Sequence, residues 1–477
     1  MFSRNNQDQD RQTLSVRLFH TFAANSARFD DDNLVSVAGL VPVMTLADQT
    51  GLTSMLTEKV SISSPRIKSG SANPAPKLAT LIAGMCAGAD SIDDIDLLRS
   101  GGCKELFEAV YAPSTVGTLL REFTFGHAKQ LESVRAGHLC ALAARVDLLP
   151  GAWTRCFVDI DSLLRPVYGH RKQGASYGHT KIAGKQVLRK GLSPLAATLS
   201  TDLAAPVIAG IRLRAGKTGS GKGAASMVTV VIGTARAAGA TGEILVRGDS
   251  AFGTRKVVRA ARRAGAQFSL VLTKNSTVRQ AIAAIPEHAW TPVRYPGAVR
   301  DPDTGEWISD AEVAEIPYTA FASTKDKTTA RLIVRRVKDA RYPDALFPVW
   351  RFHPFFTNNT EPVADADLTH RRHAVIETVF GDLIDGPLAH MPSGRFGTNS
   401  AWVLCAAIAH NLLRAAGALA DPRLGRARAI TLRRKIIAVP ARLARPQRKP
   451  VLHLPTHWPW AKPWRQLWCT TTTLSTA

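Results

Sequence analysis

The period of the apolar positions changes several times along the 477-residue chain. After a polar lead-in over residues 1–30, residues 33–144 repeat apolar side chains every third or fourth position. LATLIAGMCAGA, DDIDLLRSGG and PSTVGTLLREFTFGHAKQLESV carry that pattern. This spacing puts the apolar groups on one helical face and predicts an all-helical region, with Ser114 behind Pro113 as a cap. From residue 155 the pattern shortens. CFVDIDSLL (156–164), SPLAATLS from Ser193 and PVIAGIRLR from Pro206 predict strands. The helix AASMVTVVIGTARAAGA, the strand EILVRGDSAF, the helix TRKVVRAARRAGA and the strand QFSLVLTK follow. Three strands and then alternating helix and strand predict a mixed α/β sheet.

Residues 290–357 are β-branched and aromatic around a DPDTG turn, and predict an inserted β-rich subdomain. Two helices come next, one carrying THRRHAVIETVFGDL and one starting at Ala401. The second is apolar, but His410, Asn411 and Arg414 mark it as a buried helix rather than a membrane span. The N-terminus lacks the apolar run of a signal peptide, so a cytoplasmic protein is expected.

Charge narrows the partners. Lys and Arg number 61 against 38 Asp and Glu, a net charge of +23, which points to a polyanion and first of all to nucleic acid. Residues 421–450 hold ten Lys or Arg and one acid, Asp421, as a DNA-backbone contact would. Six scattered cysteines without a CxxC pair exclude a zinc ribbon and give no sign of a disulfide framework.

Asp159 and Asp161 interrupt the first strand two residues apart, so both point to one face. Like carboxylates this close repel and resist burial, and a metal ion would offset them. Asp249 ends another apolar strand and Glu377 sits on a helix, and a sheet-centred fold can bring such distant acids together. Mg²⁺ takes oxygen ligands, and two ions about 4 Å apart serve phosphodiester chemistry. The ordinary alternatives are a turn-capping Asp249, an edge-guarding strand aspartate and a Glu377 paired with neighbouring arginines. The loop GKTGSGKG (216–223) nearly spells a phosphate-binding loop, but Gly223 replaces the final hydroxyl that would ligate Mg²⁺. Lys217 and Lys222 of this loop suit a DNA backbone, and a solvated glycine-rich connection is the plain alternative.

In order, DIDS, VRGDSAF, HRRHAVIE and AHMPSGRF resemble the DDE transposases of bacterial insertion sequences, nearest the group numbered thirteen-eighty. APSTVGTLLREFTFGH and LHLPTHWPW extend the resemblance over most of the chain. It implies a ribonuclease-H-like core, a β-rich insertion before the last acid, and cut-and-paste transposition with two Mg²⁺ or Mn²⁺ ions. The implied domains are a flexible N-terminus (1–32), a helical DNA-binding domain (33–150) and the first part of the core (151–285). The insertion (286–365), the last part of the core (366–420) and a basic, Trp-rich C-terminal region (421–477) follow.

The implied catalytic and metal-binding residues are Asp161, Asp249 and Glu377, with Asp159 as the alternative to Asp161. His370, Arg371, Arg372 and His373 fall where the family contacts DNA. His370, His373 and Ile384 occupy the places of the family's Tyr, Arg and Lys, and Ile384 cannot bind phosphate. His370, His373 and Glu377 also share one helical face, a possible zinc pattern. Trp290, Trp307 and Trp350 are candidates to stack a displaced base, and Trp458, Trp460, Trp464 and Trp468 either stack bases or anchor the tail. The partners implied are double-stranded DNA at terminal repeats and target, with a homodimer on DNA and a nucleoid location. The rival readings are a nuclease of the same fold that does not join ends, and a basic DNA-binding protein without catalysis.

Overall fold

The strands expected after residue 155 assemble into a single sheet. The computed structural model describes residues 26–63, 70–182, 185–342 and 346–472. The sheet strands are β1 (Arg155–Ser162), β2 (Leu195–Thr201), β3 (Ala204–Arg212), β4 (Glu243–Gly248) and β5 (Gln267–Val271). They continue with β6 (Thr291–Pro292), β7 (Ala311–Ala320), β8 (Thr328–Lys338) and β9 (Trp350–Thr357). Their spatial order is β6-β7-β8-β9-β5-β4-β1-β2-β3. β1, β2 and β3 form an antiparallel meander, whereas β1, β4 and β5 are parallel. Parallel neighbours need a crossover. Helices α2 (Ala224–Ala237) and α3 (Arg255–Arg263) supply the two connections, after α1 (Phe125–Arg145) in the chain. β2 is buried along its whole length, which is why LAATLST reads as a continuous small-apolar run rather than an alternation.

The β-rich segment joins the central sheet. β9 pairs antiparallel with β5 through Phe355–Val271, Phe356–Leu270 and Thr357–Ser269, so residues 290–357 extend the central sheet. A five-stranded core ending at β5 would expose a row of unpaired N–H and C=O groups, and β9 covers it. A separate three-stranded ribbon, Arg165–Pro166, Ser176–Ile182 and Lys185–Leu192, rises beside the end of β1.

The helix after β9 has two halves, α4 (Val363–Arg371) and α5 (Ile376–Ile384), joined by a 3₁₀ turn over Arg372–Val375. The apolar helix α6 (Phe396–Ala420) is buried against α1, Pro74–Ala87 and β3. Its polar residues have structural partners. The β2–β3 register slips around Ala209, and the Asn411 amide takes up the backbone of Ile208, accepting from its N–H at 2.8 Å and donating to its C=O at 3.0 Å. The expected cap at Ser114 lies inside the helix instead: Ala112 is the N-cap and the helix starts at Pro113, whose fixed φ and missing N–H suit the first helical position.

The basic tail is docked. Ala441–Ala444 pairs with Leu34–Val35 on one side and Val451–His453 on the other. Arg442 and Arg445 meet Asp31 and Glu105. In the helix Ala461–Thr472, Trp464 is buried and stacks on Trp468 at 5.2 Å, so these tryptophans anchor the tail.

Replacing Asn411 with Ala strands the buried Ile208 N–H, while the Ile208 carbonyl keeps Arg135 Nη1 at 3.2 Å, and should cost about 1–3 kcal/mol, read as a fall in the urea midpoint. The fold should also be acid-labile. Burial holds the His138 ring at about 4 and the His410 ring at about 3, against an ordinary 6.5. Unfolding lets each ring take up a proton, so stability is full above about pH 7 and is lost as pH falls through 6.5 toward 4. Each ring contributes a slope of about 1.4 kcal/mol per pH unit in that window. Melting temperatures measured between pH 7 and 4.5 should show this fall, and His410→Gln should flatten it.

Candidate active site

The parallel register between β1 and β4 organises the site. It sets Asp159 opposite Arg247 and Ile160 opposite Gly248. Asp161 follows one step on in β1, and Asp249 starts the turn just past Gly248, the last residue of β4, on adjacent strands about 4.8 Å apart. Two rows result: Asp159 with Arg247, and above them Asp161 with Asp249, which line one cavity.

The lower row is closed. Asp159 is 1% exposed, and its two oxygens accept from Arg247 Nε at 2.7 Å and Nη2 at 2.8 Å. The guanidinium lies 4.0 Å over the Phe157 ring and donates from Nη1 to the Thr369 carbonyl on α4 at 2.7 Å. An arginine fork, not a metal ion, thus makes the buried Asp159 tolerable.

The upper row is open. Asp161 is half-buried; its Oδ1 accepts the Ser162 N–H at 2.6 Å. Asp249 is exposed and caps its own turn through the Ala251 N–H at 2.9 Å. The turn is pinned by the fully buried Phe252 and by Gly253, where a Cβ would lie 1.9 Å from the Val271 carbonyl oxygen. Glu377 is exposed in the first turn of α5, a position that favours an anion, while the adjacent Ile376 is buried. Asp161, Asp249 and Glu377 line one cavity of about 920 Å³ with His373 and Lys217.

The glycine-rich loop forms another wall of this cavity, with the opposite polarity to a phosphate cradle. Its carbonyls converge on Arg214: Nη1 donates to Ser220 O at 2.7 Å, Lys222 O at 2.9 Å and Gly219 O at 3.4 Å. Burial pulls this guanidinium down to about 10, with Arg212 adding to the fall and the Asp161 carboxylate opposing it. Ser162 donates to Ser220 Oγ at 2.9 Å, fastening the loop to the strand beside Asp161. Gly216 is wedged where a Cβ would lie 2.2 Å from Ser176 O and 2.3 Å from Gly191 O, so the start of the loop is packed. Lys217, Gly219 and Lys222 are exposed, and Lys217 lines the cavity.

The other expected site residues divide. His370 is buried, stacked on Phe355 at 4.2 Å and bonded to Ser269 Oγ at 2.9 Å. Burial above all, with cationic neighbours, holds its ring well below the ordinary value, so it is a neutral anchor of α4 on the sheet. His373 donates from Nδ1 to His370 O at 2.6 Å and reaches the cavity. Arg371 pairs with Asp367, and Arg372 with Asp202 away from the acids. Ile384 packs against the core.

Trp290 and Trp350 lie 4.4 Å either side of the Arg336 guanidinium, which pairs with Glu287 and Glu312. The zinc pattern does not form, because the 3₁₀ turn rotates His370 inward. Among the described residues no three His, Cys, Asp or Glu side chains are spaced to hold a metal ion. The three cavity acids offer hard oxygen donors suited to Mg²⁺, without yet enclosing an ion. Arg247 and Arg214 were not anticipated. The signal for Arg247 was present, since 249 − 161 and 247 − 159 are the same offset.

A family model described as transposase DDE domain group 1 matches residues 24–475. Among solved structures, a cryo-EM structure of a piggyBac transposase synaptic complex with hairpin DNA is similar at 10% identity and a TM-score of 0.41. It covers 83% of this chain and 79% of that one, a likeness too distant to inform the site. No curated protein matches the sequence.

The two rows should separate in stability measurements. Asp159→Ala leaves a buried arginine uncompensated and should cost about 3–5 kcal/mol. Asp161→Ala, two residues on, should cost less than about 1 kcal/mol. Paired denaturant titrations check this.

Proposed function

Because the chain belongs to the DDE transposase family, a DNA-cleaving and DNA-transferring class, we propose that Asp161, Asp249 and Glu377 are its catalytic carboxylates. On this reading it cuts an insertion element at its ends and joins the freed 3′-hydroxyl to target DNA. The observation that carries this is the β1–β4 register, which brings Asp161 and Asp249 to the ends of adjacent strands beside the cavity that Glu377 also lines. Asp159 is the weaker candidate, since Arg247 occupies both its oxygens. The order β3-β2-β1-β4-β5, with β2 alone antiparallel to both its neighbours, supports a ribonuclease-H-like core.

Asp161, Asp249 and Glu377 would hold divalent ions, Mg²⁺ or Mn²⁺, which supply activation of the attacking oxygen and charge stabilisation of the leaving one. The chain's own part is positioning. Water attacks the phosphodiester at the element end, the P–O3′ bond breaks, and a 3′-hydroxyl and a 5′-phosphate remain. That hydroxyl then attacks a target phosphodiester, one P–O bond forming as another breaks, so no ATP is required. His373 and Lys217, in the cavity wall, can hydrogen-bond non-bridging phosphate oxygens. The net charge of +23 supports double-stranded DNA as the partner, and concerted cutting of two ends favours a homodimer on DNA.

The purified protein with Mg²⁺, without ATP, and a plasmid carrying the gene and its native flanks should give breaks at both element ends and joined products. Asp161→Ala, Asp249→Ala and Glu377→Ala should each lower both by at least about a thousandfold. Breaks that survive all three substitutions would sink the assignment. Ends cut but never joined would favour the nuclease reading.

A further inference from the structure

A second, smaller cavity adjoins the candidate active site on the side of the sheet extension. Its volume is about 380 Å³, and Lys274, Arg335, His353, Asp367, Arg371 and His373 form its polar lining. His373 stands in the wall of both cavities, and Ser250, the residue after Asp249, opens into this one. The two spaces therefore share the His373 wall, with Ser250 setting the second beside Asp249.

Its charge is unbalanced. Lys274, Arg335 and Arg371 face a single carboxylate, Asp367, which is bound to Arg371 Nε at 2.9 Å. Arg335 projects from the middle of β8, across from His353 on β9. Its Nε and Nη1 are shut off from solvent and have no hydrogen-bond acceptor among the described residues. The Asp367 Oδ1 lies 3.7 Å from Nη1, beyond a hydrogen bond. Asp367 thus offsets the charge of Arg335 without satisfying these N–H groups, and a buried donor left unsatisfied is costly. Lys274, at the cavity mouth, donates to Phe352 O at 3.1 Å and is exposed. A guanidinium beside an exposed ammonium supplies two positive charges and N–H donors suited to the non-bridging oxygens of a phosphate group.

We propose that this cavity is a phosphodiester-binding subsite, in which Arg335 and Lys274 hold a backbone phosphate of the DNA strand being processed, next to the scissile linkage. This rests on the transposase reading for the identity of the strand. It gives the sheet extension a part in binding substrate, since β8 supplies the guanidinium.

The test scans methylphosphonate, a neutral replacement for one phosphate, along a duplex carrying the element end, with affinity read by fluorescence anisotropy. Wild type should lose about tenfold at one linkage near the cut. Lys274→Gln and Arg335→Gln should bind the unmodified duplex about tenfold more weakly and lose less than twofold further at that linkage. If Arg335→Gln melts early, the exposed Lys274→Gln decides alone. Full losses in the folded variants at every linkage would overturn the subsite. Mg²⁺-dependent cutting by wild type with no such coupling overturns the subsite only, whereas coupling without any cutting overturns the transposase reading and leaves the subsite standing.

Discussion

The Asp159–Arg247 pair is the constraint on which the rest of the site depends. It joins two parallel strands side by side and reaches the backbone of α4 through the Thr369 carbonyl. Each of these elements continues into one candidate catalytic acid. Asp161 lies two residues past Asp159, Asp249 two past Arg247, and Glu377 eight past Thr369. A buried pair of this kind gains little net stability over apolar packing, but it tolerates one register only. A one-residue slip between β1 and β4 would leave the two side chains on opposite faces of the sheet. The pair is thus a registration device, placed directly beneath the groups whose relative position matters most.

The strands and helices of the core were legible because their apolar periods are strong and uninterrupted. RCFVDIDS, LAATLST and EILVRG all formed where the alternation or burial pattern put them. What could not be read was how strands distant in sequence would pair. Nothing in WRFHPFFT says that its edge will meet QFSLV rather than close a sheet of its own. The ribbon at 176–192 was missed because SYGHTKI and KQVLRKGL are polar strands with no apolar face to announce them.

The candidate site was legible as a set of acids but not as a geometry. DIDS offered two equivalent aspartates, and only the arginine two residues before Asp249 distinguishes them. GKTGSGKG matched a phosphate loop in spelling, yet side-chain spelling does not say whether amides or carbonyls turn inward. Here the inward groups are carbonyls, because Arg214 fills the centre. HRRHAVIE suggested one continuous helical face, and the 3₁₀ turn at Arg372–Val375 breaks it, leaving His370 buried while His373 and Glu377 share the cavity.

The docking of the tail has a consequence for how the molecule comes into being. Leu34–Val35 finds its strand partner more than 400 residues later, at Ala441–Arg442, and β3 is covered by α6 from beyond residue 396. During synthesis, therefore, the helical layer and the meander emerge long before the segments that cover them. Their apolar faces must wait, unsatisfied, until most of the chain has left the ribosome. A chain broken off after β9 would hold Asp161 and Asp249 but lack both the third acid and the covering of its own core. The candidate site and the covering of the core therefore both await the last part of the chain, the acids first and the covering segments after them.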